Sequence, residues 1–299
     1  MKKILLTSIV LLMAANLFAL EYEPSWRRAD WYPITMLKIS SAAIDDYSHL
    51  PGATNLTTSI EARDAFVTYM TQSYNRRYPS YQVIQPYVFT NYTAKADSFK
   101  SAQLYHSNIV FFAGHGNQQA LAFYDRIADV DYKAFGGDIK WVFLDACLVL
   151  NVNKSDKLNM GPGNSYRDPD KFTKLKNAFI GTHAILGYYS IGIRLRSSSE
   201  TYSSKTKYKY FAQYFIENDM GIWEAYKKAH KTYYDGAKEY LAGYEPAIAY
   251  IKGTDQYGRQ HDGSTEKISS TYEVAMNPHQ SGRNYDVKFY TQKYGTPEY

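Results

Sequence analysis

Cysteine is almost absent from this sequence, because Cys147 is the only one among 299 residues. A single thiol excludes an intramolecular disulfide, although an exported protein would be permitted one. A lone cysteine is either a small buried hydrophobe or a group that is used chemically. The residues around Cys147 therefore decide how it is interpreted.

The sequence also lacks the common signatures of cofactor-dependent and metal-dependent enzymes. It has no Walker motif, no dinucleotide-binding glycine pattern, no His-Glu-x-x-His and no Gly-x-Ser-x-Gly. The carboxylates Asp125, Asp129 and Asp131 match no EF-hand spacing, and charge on the surface of a helix explains them better than a Ca²⁺ site. We therefore predict neither a cofactor nor a metal ion.

Long apolar runs are missing except at the N-terminus. Two lysines, an apolar stretch over residues 4–18 and a closing Ala19 are typical of a secretory signal peptide at residues 1–19. The stretch is short for a membrane-spanning helix, and a retained N-terminal anchor is the other interpretation. We expect a protein exported to the periplasm or the extracellular space, without membrane insertion once the signal is removed.

The net charge of the chain is also small. The formal charge of +5 falls to +3 without residues 1–19, which carry two lysines and no acidic residue. So mild a charge does not indicate a nucleic-acid partner. Tyrosine is abundant at 31 residues, which a compositional bias of the source taxon or surface packing explains better than a sugar- or peptide-binding surface. The sequence is silent on oligomeric state.

Two short apolar runs end in residues that can do chemistry. Ile109–Ala113 precedes Gly114-His115-Gly116, and Trp141–Asp145 precedes Ala146-Cys147. Such runs are typical of buried parallel strands, and the 24 residues at 117–140 are long enough for a crossover. We predict a helix in that crossover, closed by Gly136-Gly137. The carboxyl ends of parallel strands share one edge, where α/β sheets bind ligands, so His115 and Cys147 are expected to face one cleft.

The rest of the chain alternates between strand and helix patterns, which predicts an α/β fold with a mostly parallel sheet and helices on both faces. Residues 20–299 form one domain, with a less regular tail from about residue 253. Thr58 and Glu61 have capping-box spacing, and Pro86 places its strand near an edge. The predicted strands are 34–41, 81–89, 183–190, 247–251, 269–274 and 285–290, and the predicted helices are 58–76, 94–105, 170–178, 203–218 and 221–240.

The segments that carry the chemistry resemble a known family. An apolar strand ending in His-Gly, then one ending in Asp145-Ala-Cys, resembles the caspase-like (clan CD) cysteine peptidases, which include caspases, legumain, clostripain, gingipains and separase. The chain is also similar to a group of uncharacterised exported bacterial proteins in three segments, namely Phe112-Ala-Gly-His-Gly, Asp145-Ala-Cys and Gly181-Thr-His-Ala-Ile-Leu-Gly187. The resemblance covers roughly residues 108–190 and implies a caspase-like three-layer sandwich.

The same resemblance implies roles for individual residues. His115 would be the general base and Cys147 the nucleophile, while the backbone N–H groups of Gly116 and Cys147 would form the oxyanion hole. This chain has Leu148-Val149-Leu150 where many active members have a small residue or glycine soon after the cysteine. The loop at 151–169 leaves the same sheet edge and is a candidate lid. We expect no catalytic role for Asp145 or for His183, which starts its strand at the opposite edge.

These observations predict a secreted or periplasmic cysteine endopeptidase that uses a His115/Cys147 dyad on a peptide or protein substrate. The alternative is a non-catalytic envelope or binding protein on the same scaffold. A third possibility, acyl transfer to an acceptor other than water, uses the same dyad.

Overall fold

The fold is described from a computed structural model of the chain. The structure describes residues 35–100, 104, 106–129, 135–152, 169–190, 204–237, 244–254, 260–269 and 284–294. The predicted signal peptide and Asp131 lie outside these residues, as do most of the loop at 151–169 and of the strand at 269–274. Within the described ranges no helix is both long enough and apolar enough to cross a membrane.

A central sheet dominates the described residues. Its strands are β1 Met36–Ala43, β2 Gln82–Ile84, β3 Val88–Thr90, β4 Ile109–Ala113, β8 Trp141–Asp145, β9 Ala184–Tyr188, β10 Pro246–Thr254, β11 Gln260–Asp262 and β12 Asn284–Thr291. A separate small sheet contains β5 Gly116–Asn117, β6 Ala120–Ala122 and β7 Ile127–Asp129.

The middle of the central sheet is parallel. Strands β1, β4, β8 and β9 lie side by side in that order, each parallel to its neighbour. β2 and β3 pair in parallel with the outer side of β1. At the other end β10 is antiparallel to β9, and both β11 and β12 are antiparallel to β10. The prediction of an α/β fold with a mostly parallel sheet is confirmed.

Helices cover both faces of this sheet. They are α1 Ser59–Arg77, α2 Ala96–Lys100, α3 Pro169–Asn177, α4 Ser204–Ala212 and α5 Ile222–Ala237, with a π-helical turn at Gln213–Glu217 after α4. Alternate residues of one strand enter opposite cores because successive side chains point to opposite faces. In β4, Phe111 packs with α1, α4 and α5, whereas Phe112 packs against α2. The central strands are buried on both faces, as their unbroken apolar runs predict.

The start of α1 differs from the predicted capping box. Thr58 is the N-cap residue, but its side chain makes no capping hydrogen bond. Asp45, in the loop after β1, instead accepts a hydrogen bond from the backbone N–H of Ser59 at 2.7 Å. A carboxylate is favourable at a helix N-terminus because it satisfies an orphan donor and complements the dipole. The helix itself was predicted within one residue at each end.

The predicted crossover helix between β4 and β8 is wrong. Within the described residues this segment is the antiparallel meander β5–β6–β7. Asp129 lies in β7, and Asp125 lies in the turn before it, so neither is on the surface of a helix. Short segments carry little periodicity, and pairing with a neighbouring strand decided their structure.

The predicted edge strand at 81–89 is two strands. β2 and β3 flank Pro86, which has no N–H to donate to the ladder. Both pair with β1, and β2 ends the order of the described sheet. The position at the edge is therefore confirmed, while the single strand is not.

Candidate active site

The strands that precede His115 and Cys147 are immediate neighbours. β4 and β8 pair in parallel, with Ala113 opposite Asp145. His115 and Cys147 each follow one of these paired residues by two positions. Both residues therefore leave the sheet at the same edge, as the two apolar runs predicted, and the structure adds that their strands are adjacent.

Gly116 allows the two strand ends to come close together. A Cβ atom at this position would lie 2.7 Å from Cβ of Ala146 and 2.8 Å from the backbone oxygen of Cys147. Real side chains do not approach that closely, so a larger residue would force the two segments apart. The segment after β4 thus lies directly against the backbone around Cys147.

Two residues from the loop after β1 hold His115. Its Nε2 lies 2.7 Å from the backbone oxygen of Thr54. A carbonyl oxygen can only accept, so Nε2 carries a proton, and Nδ1 is the basic nitrogen of the neutral ring. Tyr47 packs its ring 4.7 Å from the imidazole and accepts a hydrogen bond from the backbone N–H of His115 at 2.9 Å. The ring orientation and the tautomer of His115 are both set by these contacts.

Cys147 is half-buried and begins a tight turn. The next residue, Leu148, has a φ of +55°, in the left-handed region that favours glycine. Its N–H donates to the backbone oxygen of Ser190 at 3.0 Å, and the N–H of Leu150 donates to that of Tyr188 at 3.0 Å. The turn is therefore tied to the end of β9. Leu148 therefore occupies a backbone conformation that glycine adopts at lower cost.

A buried polar network lies under the same sheet edge. Asp145 accepts hydrogen bonds from Lys207 Nζ at 3.4 Å and from the hydroxyl of Tyr208, both on α4. Lys207 also donates to the hydroxyl of Tyr188, and these four side chains are almost completely buried. Burial first, and then the negative charge of Asp145, raises the pKa of Tyr188 well above its usual value. Asp145 thus anchors the end of β8 to the helical layer.

Gln119, in the turn between β5 and β6, lies close to the cysteine turn. Its backbone N–H donates to the backbone oxygen of Leu148 at 3.4 Å. The side chain is 1% exposed, and neither its amide oxygen nor its nitrogen has a hydrogen-bond partner among the described residues. The residue also has a φ of +71°. An unpaired buried amide and a left-handed backbone are both costly, and such costs concentrate at functional sites.

A cleft of about 560 Å³ opens beside His115. The loop after β1 forms one wall, and the β5–β6–β7 meander forms the other. Among the described residues, Cys147 does not belong to the lining, whereas Gly116, which contacts its backbone, does. The lining residues are Leu50, Pro51, Gly52, Ala53, Thr54, His115, Gly116, Asn117, Ala120, Ala122, Asp125, Arg126 and Ile127.

Comparison with protein families gives one match. Residues 66–247 match DUF6345, a domain of unknown function, and this is more than half of the 299 residues. The chain belongs to the DUF6345 family. No curated protein matches the chain.

Solved structures similar to this DUF6345 protein include cysteine peptidases. A structure of pro-sf-caspase-1 is 12% identical with a TM-score of 0.45, over 72% of this chain and 85% of that one. The Arg-specific cysteine proteinase gingipain R is 12% identical with a TM-score of 0.41, over 88% and 67%. The complex of the pro- and mature domains of RgpB from Porphyromonas gingivalis is 13% identical with a TM-score of 0.41, over 88% and 69%.

The DUF6345 match includes some parts of the candidate site and not others. His115 and Cys147 lie within the matched residues, whereas Tyr47 and Thr54 precede them. The sequence interpretation did not find Tyr47 or Thr54. A signal was available, because the loop after β1 leaves the sheet at the edge that also carries His115. Gln119 was also missed, since nothing local to it indicates a buried turn.

His183 lies at the opposite edge of the sheet. It precedes β9, is 2% exposed, and places Nδ1 2.7 Å from Oε1 and 2.8 Å from Oε2 of Glu266. Its backbone oxygen accepts a hydrogen bond from the N–H of Ile251 at 3.0 Å. These contacts join the segment around Glu266 to the central sheet. They agree with the structural role predicted for His183.

Proposed function

We propose that this DUF6345 protein is an exported cysteine peptidase, with Cys147 as nucleophile and His115 as acid–base residue, acting on peptide or protein substrates. The observation that carries the proposal is the pairing of Ala113 with Asp145 on adjacent parallel strands, two residues before His115 and Cys147. Residues 1–19 support export to the periplasm or the extracellular space. The His-Gly and Asp-Ala-Cys strand ends add their resemblance to clan CD.

The hydrogen bond from His115 to Thr54 supports a different role for each ring nitrogen in this proposal. Nδ1 takes the proton of the Cys147 thiol, and the thiolate attacks the carbonyl carbon of the substrate. The carbonyl of Thr54 accepts from Nε2–H throughout and stabilises the imidazolium that forms. Backbone N–H groups of Gly116 and Cys147 hold the oxyanion, for which one donor contributes about 3–4 kcal/mol in a well-studied case.

The remaining steps of the proposed reaction use only His115, Cys147 and water. The carbon–nitrogen bond breaks, the amine leaves with the proton from Nδ1 of His115, and the acyl group remains on Cys147 as a thioester. Water then loses a proton to Nδ1 and attacks the thioester carbon. The carbon–sulfur bond breaks, the sulfur recovers the proton, and the carboxylic acid product is released.

The test is the rate at which iodoacetamide alkylates Cys147 as a function of pH. Cys147 is the only thiol, so the label reports one site. We expect rapid alkylation of the wild type near pH 6, and in His115→Ala a rate that rises only toward about pH 8.5, the value for a free thiol. His106→Ala is the matched control, because its imidazole is 73% exposed and lies elsewhere.

A peptide library, digested by the wild type and by Cys147→Ala, then shows whether the dyad cleaves peptide bonds. Inert Cys147 at every pH, or a profile unchanged by His115→Ala, would contradict the proposal and leave a non-catalytic binding protein. Products that contain an added amine in place of water would identify acyl transfer.

A further inference from the structure

The position of the cleft relative to His115 and Cys147 indicates which side of the scissile bond it serves. In peptide-bond cleavage the thiol must reach the carbonyl carbon, whereas the acid must reach the amide nitrogen on the leaving side. The lining contains His115 and, among described residues, does not contain Cys147. Gly116 also lines the cleft, and its backbone closely approaches that of Cys147. The cleft therefore extends from the nitrogen side of the bond to be cut.

The charges in the lining cancel each other. Among the described residues, Asp125 and Arg126 are the ionisable residues of the lining besides His115, and their side chains pair at 3.4 Å. Asp125 also accepts a hydrogen bond from the N–H of Ala96 at 2.7 Å, and Arg126 pairs with Asp97 at 2.8 Å. Within the described ranges, both charged side chains of the lining thus have partners of opposite charge within the protein. The other surfaces are mainly apolar side chains, contributed by Leu50, Pro51, Ala53, Ala120, Ala122 and Ile127.

Both walls of the cleft are fixed to His115. The hydroxyl of Tyr47 accepts from the N–H of His115 and donates to the backbone oxygen of Ala122 at 3.0 Å. The N–H of Ala122 donates to the backbone oxygen of His115 at 3.0 Å. On the other wall, Thr54 holds Nε2 of the imidazole. The cleft is thus formed before a substrate arrives, and its position relative to the imidazole is set by hydrogen bonds.

We infer that this cleft binds an uncharged apolar side chain of the substrate on the carboxyl-terminal side of the scissile bond. The inference rests on the proposed peptidase function and adds a specificity to it. Ile127 lies at the cleft and is 67% exposed, more than any other large aliphatic side chain among the described residues. An apolar substrate side chain would cover it, and burial of apolar surface is the source of the selectivity.

The experiment compares substrates that share one acyl sequence, chosen from the peptides that the wild type cleaves. Peptides continue past the scissile bond with Leu, Asp or Lys, and a peptidyl methyl ester has no residue there. The wild type is expected to favour Leu over Asp and Lys by about tenfold in kcat/KM, a typical discrimination for an apolar pocket.

The variant is Ile127→Asp, which places a carboxylate in the lining. It should lower kcat/KM for the Leu peptide and raise it for the Lys peptide, so that the preference between the two is reversed or lost. Val88→Asp is the matched control: Val88 is a 47% exposed aliphatic residue on edge strand β3, outside the lining. This control should keep the wild-type preference.

The possible failures are distinguishable. Hydrolysis of the methyl ester with no preference among Leu, Asp and Lys would overturn the inference and leave the peptidase function intact. An unchanged preference in Ile127→Asp would also overturn it. No cleavage of any substrate, together with an unreactive Cys147, would overturn the proposed function and the inference that rests on it.

Discussion

At the scale of single residues, His115 depends on contacts far away in the chain. Thr54 fixes the proton on Nε2, and Tyr47 fixes the ring and the backbone N–H. Neither residue is acidic, so the contacts that hold the imidazole include no carboxylate. Because the acceptor is the backbone carbonyl of Thr54, substitution of the Thr54 side chain would leave this hydrogen bond in place.

Gln119 offers a stability prediction at this scale. Gln119→Met keeps the size of the side chain and the left-handed backbone, and removes a buried amide for which the described part of the chain offers no partner. We expect the free energy of unfolding to rise by about 1–3 kcal/mol, the cost of burying such a group unpaired. Urea denaturation measures the change.

Gln118→Met is the matched control for that measurement. Gln118 is the other residue of the same turn, with a φ of +35°, and its Oε1 accepts a hydrogen bond from Lys171 at 2.9 Å. Its replacement removes a made hydrogen bond and should not stabilise the protein. A Gln119→Met protein less stable than wild type would show that the amide is satisfied in solution.

At the scale of elements, a clamp joins the end of α1 to the π-helical turn after α4. Glu217 accepts hydrogen bonds from the hydroxyl of Ser73 at 2.6 Å and from Nε of Arg76 at 3.1 Å. Burial by itself favours the neutral carboxyl group, but these hydrogen bonds and the charge of Arg76 outweigh it. The pKa of Glu217 is therefore lowered from its usual value.

The lowered pKa predicts how this clamp depends on pH. A carboxyl group whose pKa is lowered in the folded state stabilises the protein at pH values above its unfolded-state pKa of about 4.5. This contribution is lost as the pH falls through the lower folded-state pKa. Glu217→Gln should therefore lower the free energy of unfolding by about 1 kcal/mol near pH 7, a modest figure because Arg76 is exposed. Near pH 3 wild type and variant should be almost equally stable.

Urea unfolding of both proteins at the two pH values checks this prediction. Glu224→Gln is the control, since Glu224 is 63% exposed and pairs with Lys227 within α5. Such a surface pair contributes only a few tenths of a kcal/mol. A Glu217→Gln deficit of equal size at both pH values would mean that packing, and not the charge, accounts for it.

At the scale of the whole molecule, Asp145 and Lys207 join the sheet to one helical layer beneath the candidate site. Lys207→Met removes one partner of a pair whose side chains are 3% and 4% exposed. We expect a loss of about 3–5 kcal/mol, because an uncompensated charge remains buried. Thermal or urea denaturation measures this loss.

The double variant Asp145→Asn with Lys207→Met separates charge from packing. Removing both charges should recover most of the stability, since neutral replacements of buried ion pairs are often well tolerated. If the double variant is as unstable as Lys207→Met, then the packing of Lys207 against the rings of Tyr188 and Tyr208 carries the effect.

Much of the fold could be predicted because its signals are local. The apolar runs of β4 and β8 are buried on both faces, and the residues of α1 follow a helical period. The crossover between β4 and β8 could not be predicted in the same way. Strands as short as β6 and β7, three residues each, have too few positions to show a period.

The sequence by itself determined the class of the fold, the parallel strands that end near His115 and Cys147, and the edge at which both residues lie. These follow from local patterns and from the fact that parallel strands share one edge. Only the tertiary structure decided what surrounds the two residues. Thr54 holds His115 from 61 positions away, and Lys207 meets Asp145 across 62. Contacts of that range depend on the packing of the whole chain and leave no pattern in either segment.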